Sequence, residues 1–230
     1  MSHDNTVAFG SAKQFYGVND MEYESIVNEL KAKGIENPVV LAAMNTVPRR
    51  VFIEPVFFDE ETDDLEIPPD IGDEIVESFL VAKKVEFIVG NDPDNLPQKV
   101  LEIGVGKGFQ SAVLAEIVEQ VFSVERSRIR CKQIDERLRG LEVMNVKIVQ
   151  ADGQEGYPDQ APYDGIIVNV VFEEIPEALK HQLKDGGRMV IPLGNADYQI
   201  LYFVTRNGSE FEKKMMGAYH FNLFESGVTK

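Results

Sequence analysis

From Lys99 onward the chain alternates short apolar runs with longer stretches whose apolar residues recur every three or four positions. QKVLEIG, VFSVE, VKIVQADG, GIIVNVV, GRMVIPLG and QILYFVTRNG read as strands, and the region near 217–224 as one more. FQSAVLAEIVEQ, RSRIRCKQIDERLRGL and IPEALKHQLK read as helices between strands. Strands this apolar are buried on both faces, and helical crossovers make their pairing parallel. Because such crossovers are right-handed, the pattern predicts an α/β fold: a Rossmann-like, doubly wound, mostly parallel seven-stranded sheet.

The upstream part has a different texture. Residues 20–33 and 37–46 read as two short helices, with Gly34 as a stop between them. Residues 54–74 hold ten carboxylates and neither Lys nor Arg, and Pro68-Pro69 marks them as a loop. A helix follows over roughly 75–89, and GNDPDNLP at 90–97 is a turn. The expected organisation is a loose terminus at 1–18, an N-terminal helical extension with an acidic loop at 19–97, and a nucleotide-binding core at 98–230. All three form one compact domain.

Ligands of doubly wound sheets bind beyond the carboxyl ends of the strands, where strand order reverses. At that place in the first core strand stand Gly104, Gly106 and Gly108. Glycine lets the backbone turn tightly and lets a ligand approach it. Glu102 lies at the same strand end. Glu125 ends the second strand, 21 residues after Gly104, where an acid accepts from ribose hydroxyls. Asp152, followed by Gly153, ends the third strand, where a carboxylate can accept from an adenine amino group. The glycines run G-x-G-x-G, whereas a dinucleotide reader wants the third glycine one place later. S-adenosylmethionine, an adenosine without phosphate, fits this set better.

Composition narrows the partners. The net charge is −16, which repels a phosphate backbone and argues against nucleic acid. The best basic stretch, ERSRIRCKQIDERLRG, interleaves its charges with acids as a solvated helix face does. GIIVNVVF is far too short to span a bilayer, so no membrane partner is expected. Three scattered histidines and one cysteine offer no metal-ligand spacing. Cys131 alone excludes an internal disulfide and fits a reducing compartment. MSHDNTVAFGSAKQFYG has no basic n-region and no apolar h-region, so a cytoplasmic location is expected. Cys131 has no nucleophile's partner near it in sequence and is expected to be structural.

VLEIGVGKGFQSAVLA, VFSVER, ADGQEGYPDQAPYDGIIV, EEIPEALKHQLKDGGRMVIPLG and the upstream LKAKGIENPVVLAAMNTVPRRVFIEP resemble the protein-L-isoaspartate O-methyltransferase family over roughly residues 20–224. The last stretch lies outside the cofactor motifs, so it points to this family rather than to methyltransferases in general. The resemblance implies an enzyme that uses S-adenosylmethionine to methylate the carboxyl of isoaspartyl residues in damaged proteins or peptides. It implies that Gly104, Gly106 and Gly108 border the methionine part of the cofactor, Glu125 takes the ribose, and Asp152-Gly153 lies by the adenine. Lys107 stands where the family has a small residue, and is expected to face water.

The match breaks in the substrate loop. The family pattern G-Q-T-I-S-x-P is here GDEIVES. Gly72 and Ile75 are kept, but Glu74 replaces Thr, Val76 replaces Ser and Ser78 replaces Pro. By resemblance, Glu74, Ile75 and Val76 border the reacting groups. Valine donates no hydrogen bond, and glutamate repels a carboxylate substrate. Weak isoaspartyl transfer is therefore expected. A same-fold enzyme with a changed acceptor and a non-catalytic cofactor-binding relative stand as alternatives. NVVF, residues 169–172, is similar at its outer positions to the N-P-P-[YF] motif of amide and amine methyltransferases, where the Asn holds the target amine. The plainer reading is that Asn169 caps the turn and Phe172 packs in the core. A carboxylate acceptor needs no general base, because its pKa of about 4 leaves it ionised at pH 7. An amine acceptor would need one, and Glu74 is the candidate.

Overall fold

The computed structural model describes residues 20–52 and 78–230. Helices α1 (Asp20–Ala32), α2 (Pro38–Thr46) and α3 (Ser78–Val89) precede the sheet, with a 3-10 turn at Arg49–Phe52. Asn37 starts α2: its Oδ1 accepts from Val39 N and Val40 N, and Pro38 follows with no N–H to lose. Asn37 Nδ2 donates to Gly90 O at 2.6 Å, and Glu86 Oε1 accepts from Glu36 N and Asn37 N. The start of α2 is thereby tied to the end of α3. The predicted bounds of α1 and α2 hold to within a residue. The predicted start of α3 at 75 falls outside the described residues.

The sheet runs through β1 (Lys99–Ile103), β2 (Gln120–Glu125), β3 (Val146–Gln150), β4 (Tyr163–Val168), β5 (Leu183–Gly194), β6 (Gln199–Asn207) and β7 (Glu210–Ala218). Between them lie α4 (Phe109–Ala115), α5 (Arg128–Gly140) and α6 (Glu177–Gln182). Strand order is β3-β2-β1-β4-β5-β6-β7. β1 to β5 are mutually parallel, and β6 and β7 return antiparallel. β1 pairs with β2 on one side and β4 on the other, so strand order reverses there and a crevice opens beyond their carboxyl ends.

Alternation along the central strands fills both faces. Val100, Val121, Ile167 and Val190 pack with the N-terminal helices, α4 and α5. Leu101, Ile103, Ile166 and Met189 pack on the opposite face with Ile175 and Leu179. This two-sided burial is the physical reason the central strands were legible as largely apolar runs.

Three elements differ from expectation. The helix predicted over 109–120 ends at Ala115, because the chain must turn for Gln120 N to reach Gln98 O and open β2. The helix read over 175–184 is confined to Glu177–Gln182, and β5 begins at Leu183. The last strand is Glu210–Ala218 rather than 217–224. Its sequence, EFEKKMMGA, is charged because it is the sheet's edge, where charge guards against pairing with another chain. It pairs with β6 across a two-residue hairpin loop whose Gly208 has φ 63°.

Residues 219–229 cross the carboxyl ends of the strands instead of joining the sheet. Val171 N donates to Asn222 O, and Phe224 N to Val171 O. The Phe224 ring stacks on Phe172 with centroids 4.4 Å apart. Further on, Thr229 N donates to Arg126 O and Thr229 O accepts from Arg128 N. Among the described residues no helix is long and apolar enough to cross a membrane.

Candidate active site

A cavity of about 1130 Å³ lies beyond the carboxyl ends of β1, β2 and β4. That is at the upper end of small-molecule sites, roughly 300–1,000 Å³. Its floor is the turn after β1. Gly104 N donates to Val124 O at 2.9 Å, which ties the turn to β2. Gly104 and Gly106 have φ of 80° and 58°, a left-handed backbone that other residues rarely adopt. Both are on the cavity wall. A Cβ at Gly106 would meet nothing within 4 Å, so its surface is bare backbone facing open space. Gly108 is different: a Cβ there would come within 2.9 Å of Ile134 on α5. Gly108 serves close packing and is not on the wall. Gly153 is on the wall and is also packed from behind, since a Cβ would sit 2.6 Å from Ile103 Cγ2.

Glu125, 6% exposed, ends β2 on the cavity wall. Its Oε1 accepts from Ser127 N at 2.8 Å, and Ser127 in turn caps α5 through Arg130 N. Oε2 has no hydrogen-bond partner among the described residues. The acid is thus fixed in place with an acceptor to spare, as a ribose site requires.

The other two acids are placed differently from expectation. Asp152 lies two residues beyond β3, not at its end, and is not on the wall. Its Oδ1 accepts from Gln154 N at 2.9 Å and its Oδ2 from Gly227 N at 2.6 Å, so the C-terminal segment takes the oxygen meant for the adenine. Glu102 is fully buried. Its Oε1 accepts from Gln110 Nε2 at 2.6 Å and Asn169 Nδ2 at 3.4 Å, and its Oε2 from Ser111 Oγ at 2.5 Å and Ser123 Oγ at 2.8 Å. It braces the turn from beneath and does not touch the cavity. Burial pushes its carboxyl up, against the pull of Ser111, Ser123, Gln110 and Lys84.

Two further wall side chains come from outside the cofactor motifs. Lys84 of α3 is 1% exposed and donates to Asn169 Oδ1 at 2.6 Å. Asn169 Nδ2 also donates to Gly104 O at 2.8 Å. Lys84, Asn169 and Gln110 all lie on the cavity wall. One signal for Lys84 was in the sequence. Leu80, Lys84 and Ile88 fall on one helical stripe, and a lysine there interrupts an apolar face. Asn169 does cap the strand-end turn, and Phe172 is core, as the plainer reading of NVVF held. Asn169 Oδ1 already accepts from Lys84, so the amide is engaged in the polar cluster beneath the turn. Lys107, expected at water, is half-buried on the cavity wall.

Arg49 and Phe52, from the 3-10 turn, form part of the wall, with Phe52 against Phe109 at 5.6 Å between centroids. Residues 219–225 close another part of it. Cys131 is half-buried, with Sγ 3.5 Å from Glu125 O; burial and the Glu125 charge push its thiol up, which keeps it unreactive. Among the described residues no His, Cys, Asp and Glu cluster could hold a metal. Glu74, Ile75 and Val76 lie outside the described residues.

An adenosine cofactor with an amino-acid tail fits what is present. Glu125 offers a fixed acceptor for the ribose, bare backbone at Gly104 and Gly106 offers room beside it, and Gln110 Oε1 is buried without a partner.

Comparison with known proteins agrees. The family model of protein-L-isoaspartate(D-aspartate) O-methyltransferase matches residues 21–224. The chain is 38% identical over 198 residues to the protein-L-isoaspartate O-methyltransferase of Halorhodospira halophila, covering 86% of this chain and 89% of that one. It is 39% identical over 202 residues to that of Methylobacillus flagellatus, with 86% and 89% covered. A solved protein-L-isoaspartate O-methyltransferase superposes with a TM-score of 0.74 at 26% identity, covering 90% of this chain and 67% of that one. A Plasmodium falciparum beta-aspartate methyltransferase, solved in complex with S-adenosyl-L-homocysteine, shares the fold at 18% identity with a TM-score of 0.68, over 88% of this chain and 98% of that one.

Proposed function

The chain belongs to the protein-L-isoaspartate(D-aspartate) O-methyltransferase family, and from that premise we propose that it methylates the free α-carboxyl of isoaspartyl residues in peptides or proteins. The observation that carries the reading is the cavity at the β1/β4 reversal, with Glu125 fixed on its wall beside an open glycine turn. S-adenosylmethionine, the family's cofactor, supplies when bound a methyl group on a cationic sulfur, which is electrophilic without further activation.

The protein's share of the work is therefore placement and exclusion of water. Glu125 Oε2 accepts from the ribose, and the backbone at Gly104 and Gly106 lets the chain beyond the ribose lie close. Arg49 adds positive charge to a cavity whose acceptor is an anion. Phe52 and the segment 219–225 keep water out. No general base is needed, because the acceptor carboxyl is ionised at neutral pH. Residues 98–230 carry the cofactor wall in this reading. Residues 19–97 add Arg49, Phe52 and Lys84 to that wall, and by family resemblance Glu74, Ile75 and Val76 are assigned to the acceptor.

Transfer of radiolabelled methyl to a peptide containing isoaspartate, against the same peptide with aspartate, tests the function. Label is expected on the isoaspartyl peptide alone. A protein that binds S-adenosylhomocysteine yet labels neither peptide would refute it.

A further inference from the structure

The polar cluster under the glycine turn contains a cation for which methyl transfer has so far supplied no task. Lys84 is almost fully buried, yet it is part of the cavity wall. Burying a cation is costly unless it is paired and hydrogen-bonded. An ammonium has three N–H donors, and among the described residues Lys84 has one acceptor, Asn169 Oδ1. Glu102 balances its charge through space, but the carboxylate oxygens are filled by Gln110, Ser111, Ser123 and Asn169.

A second group beside it is also incomplete. Gln110 Oε1 is buried and has no partner. Gln110 Nε2 and Asn169 Nδ2 share the same oxygen of Glu102. The spare donors of Lys84 and the spare acceptor of Gln110 therefore sit together at the β1/β4 end of the cavity. Glu125 and Ser127 mark its β2 end.

A ligand with its ribose on Glu125 and its base toward Gly153 sends the substituent on its ribose toward Lys84. In an S-adenosyl amino acid that substituent ends in a carboxylate and an ammonium. We infer that Lys84 holds the carboxylate of the cofactor's amino-acid end, while Gln110 Oε1 accepts from its ammonium. This rests on the cavity being the cofactor site, as proposed above. Burial lowers the Lys84 pKa to about 7 despite the opposing Glu102 charge. A bound carboxylate favours the charged form, so binding and protonation reinforce each other. Lys84 is thus a cofactor anchor and not a base.

Titration calorimetry at pH 7 with three ligands tests the inference. They are S-adenosylhomocysteine, its decarboxylated analogue that keeps the amine, and 5′-methylthioadenosine, which lacks the whole amino acid. Wild type is expected to prefer S-adenosylhomocysteine over the decarboxylated analogue by about ten- to a hundredfold, as for a hydrogen bond to a charged group. Lys84→Met should erase that preference and keep its affinity for 5′-methylthioadenosine within about twofold, which also shows that the variant is folded. An undiminished preference in Lys84→Met, or an equal loss for all three ligands, overturns the inference and leaves the cofactor reading standing. So does a defect confined to KM for an isoaspartyl peptide, which would give Lys84 to the acceptor. A wild type that binds none of the three overturns the cofactor reading itself.

Discussion

Glu102 joins the most groups in the buried cluster, and replacing it by Met, similar in length but without charge, isolates what it does. Three of its four donors keep or find another partner. The Ser111 and Ser123 hydroxyls lie 3.3 Å apart and can bond each other. Asn169 Nδ2 keeps Gly104 O. Gln110 Nε2 is left without an acceptor, at about 1–3 kcal/mol. Lys84 is left buried without its counter-charge, and breaking such a pair costs roughly 3–5 kcal/mol. The two losses overlap, because Lys84 can shed its proton, so the expected total is about 3–5 kcal/mol against a domain stability of about 5–15.

The pH dependence has a definite sign. Burial already lowers the Lys84 pKa to about 7, and Glu102 opposes that. In Glu102→Met the pKa falls further. The unfolded chain then out-competes the native state for the Lys84 proton from further below pH 7, so the variant begins to gain stability with rising pH at a lower pH than wild type does. Loss of Glu102 acts in the same direction. Its raised pKa makes native wild type the stronger proton binder just above the ordinary glutamate value, a contribution that fades as pH rises. Urea unfolding of ligand-free protein at pH 6 and pH 8 should show a larger deficit at pH 6. Lys84→Met combined with Glu102→Met should recover more than half of the deficit, since the pair is removed as a unit. A single-variant loss under about 1 kcal/mol, where ordinary surface changes fall, or a double variant no better than the single, would refute the view of Glu102 as a buried counter-charge.

Glu125→Ala should weaken S-adenosylhomocysteine by roughly 1–3 kcal/mol, read by calorimetry; equal affinity would remove Glu125 from the ribose site. Cys131→Ser should leave that affinity within about twofold, and a large loss would show that the thiol is more than packing. Glu74→Thr with Val76→Ser should raise kcat/KM for an isoaspartyl peptide on the order of a hundredfold, as when one preorganised donor is restored and a like charge removed. Wild-type transfer should also quicken with added salt if the acidic stretch 54–74 repels the substrate; an unchanged rate in both measurements would mean that this loop does not set the pace.

Local chemistry made much of this protein legible from its sequence. A strand buried on both faces must be apolar throughout, a sharp strand-to-helix turn must use glycine, and an acid at the end of β2 must follow the turn by about one crossover. Each of these is a constraint on neighbouring residues, so the parallel sheet, the Gly104–Gly106 floor and Glu125 could all be read in one dimension. The contacts that only folding decided join residues far apart in the chain. Lys84 meets Asn169 across 85 positions and Asn169 meets Glu102 across 67. Gly227 reaches back 75 residues to take the Asp152 oxygen that the local pattern left for a ligand. Glu102 looked like a ligand contact by its place at a strand end, but the side on which its carboxylate falls depends on α3 and α4 packing over that face. β7 escaped notice because its charge answers to its position at the sheet edge, and an edge exists only once the other strands have paired.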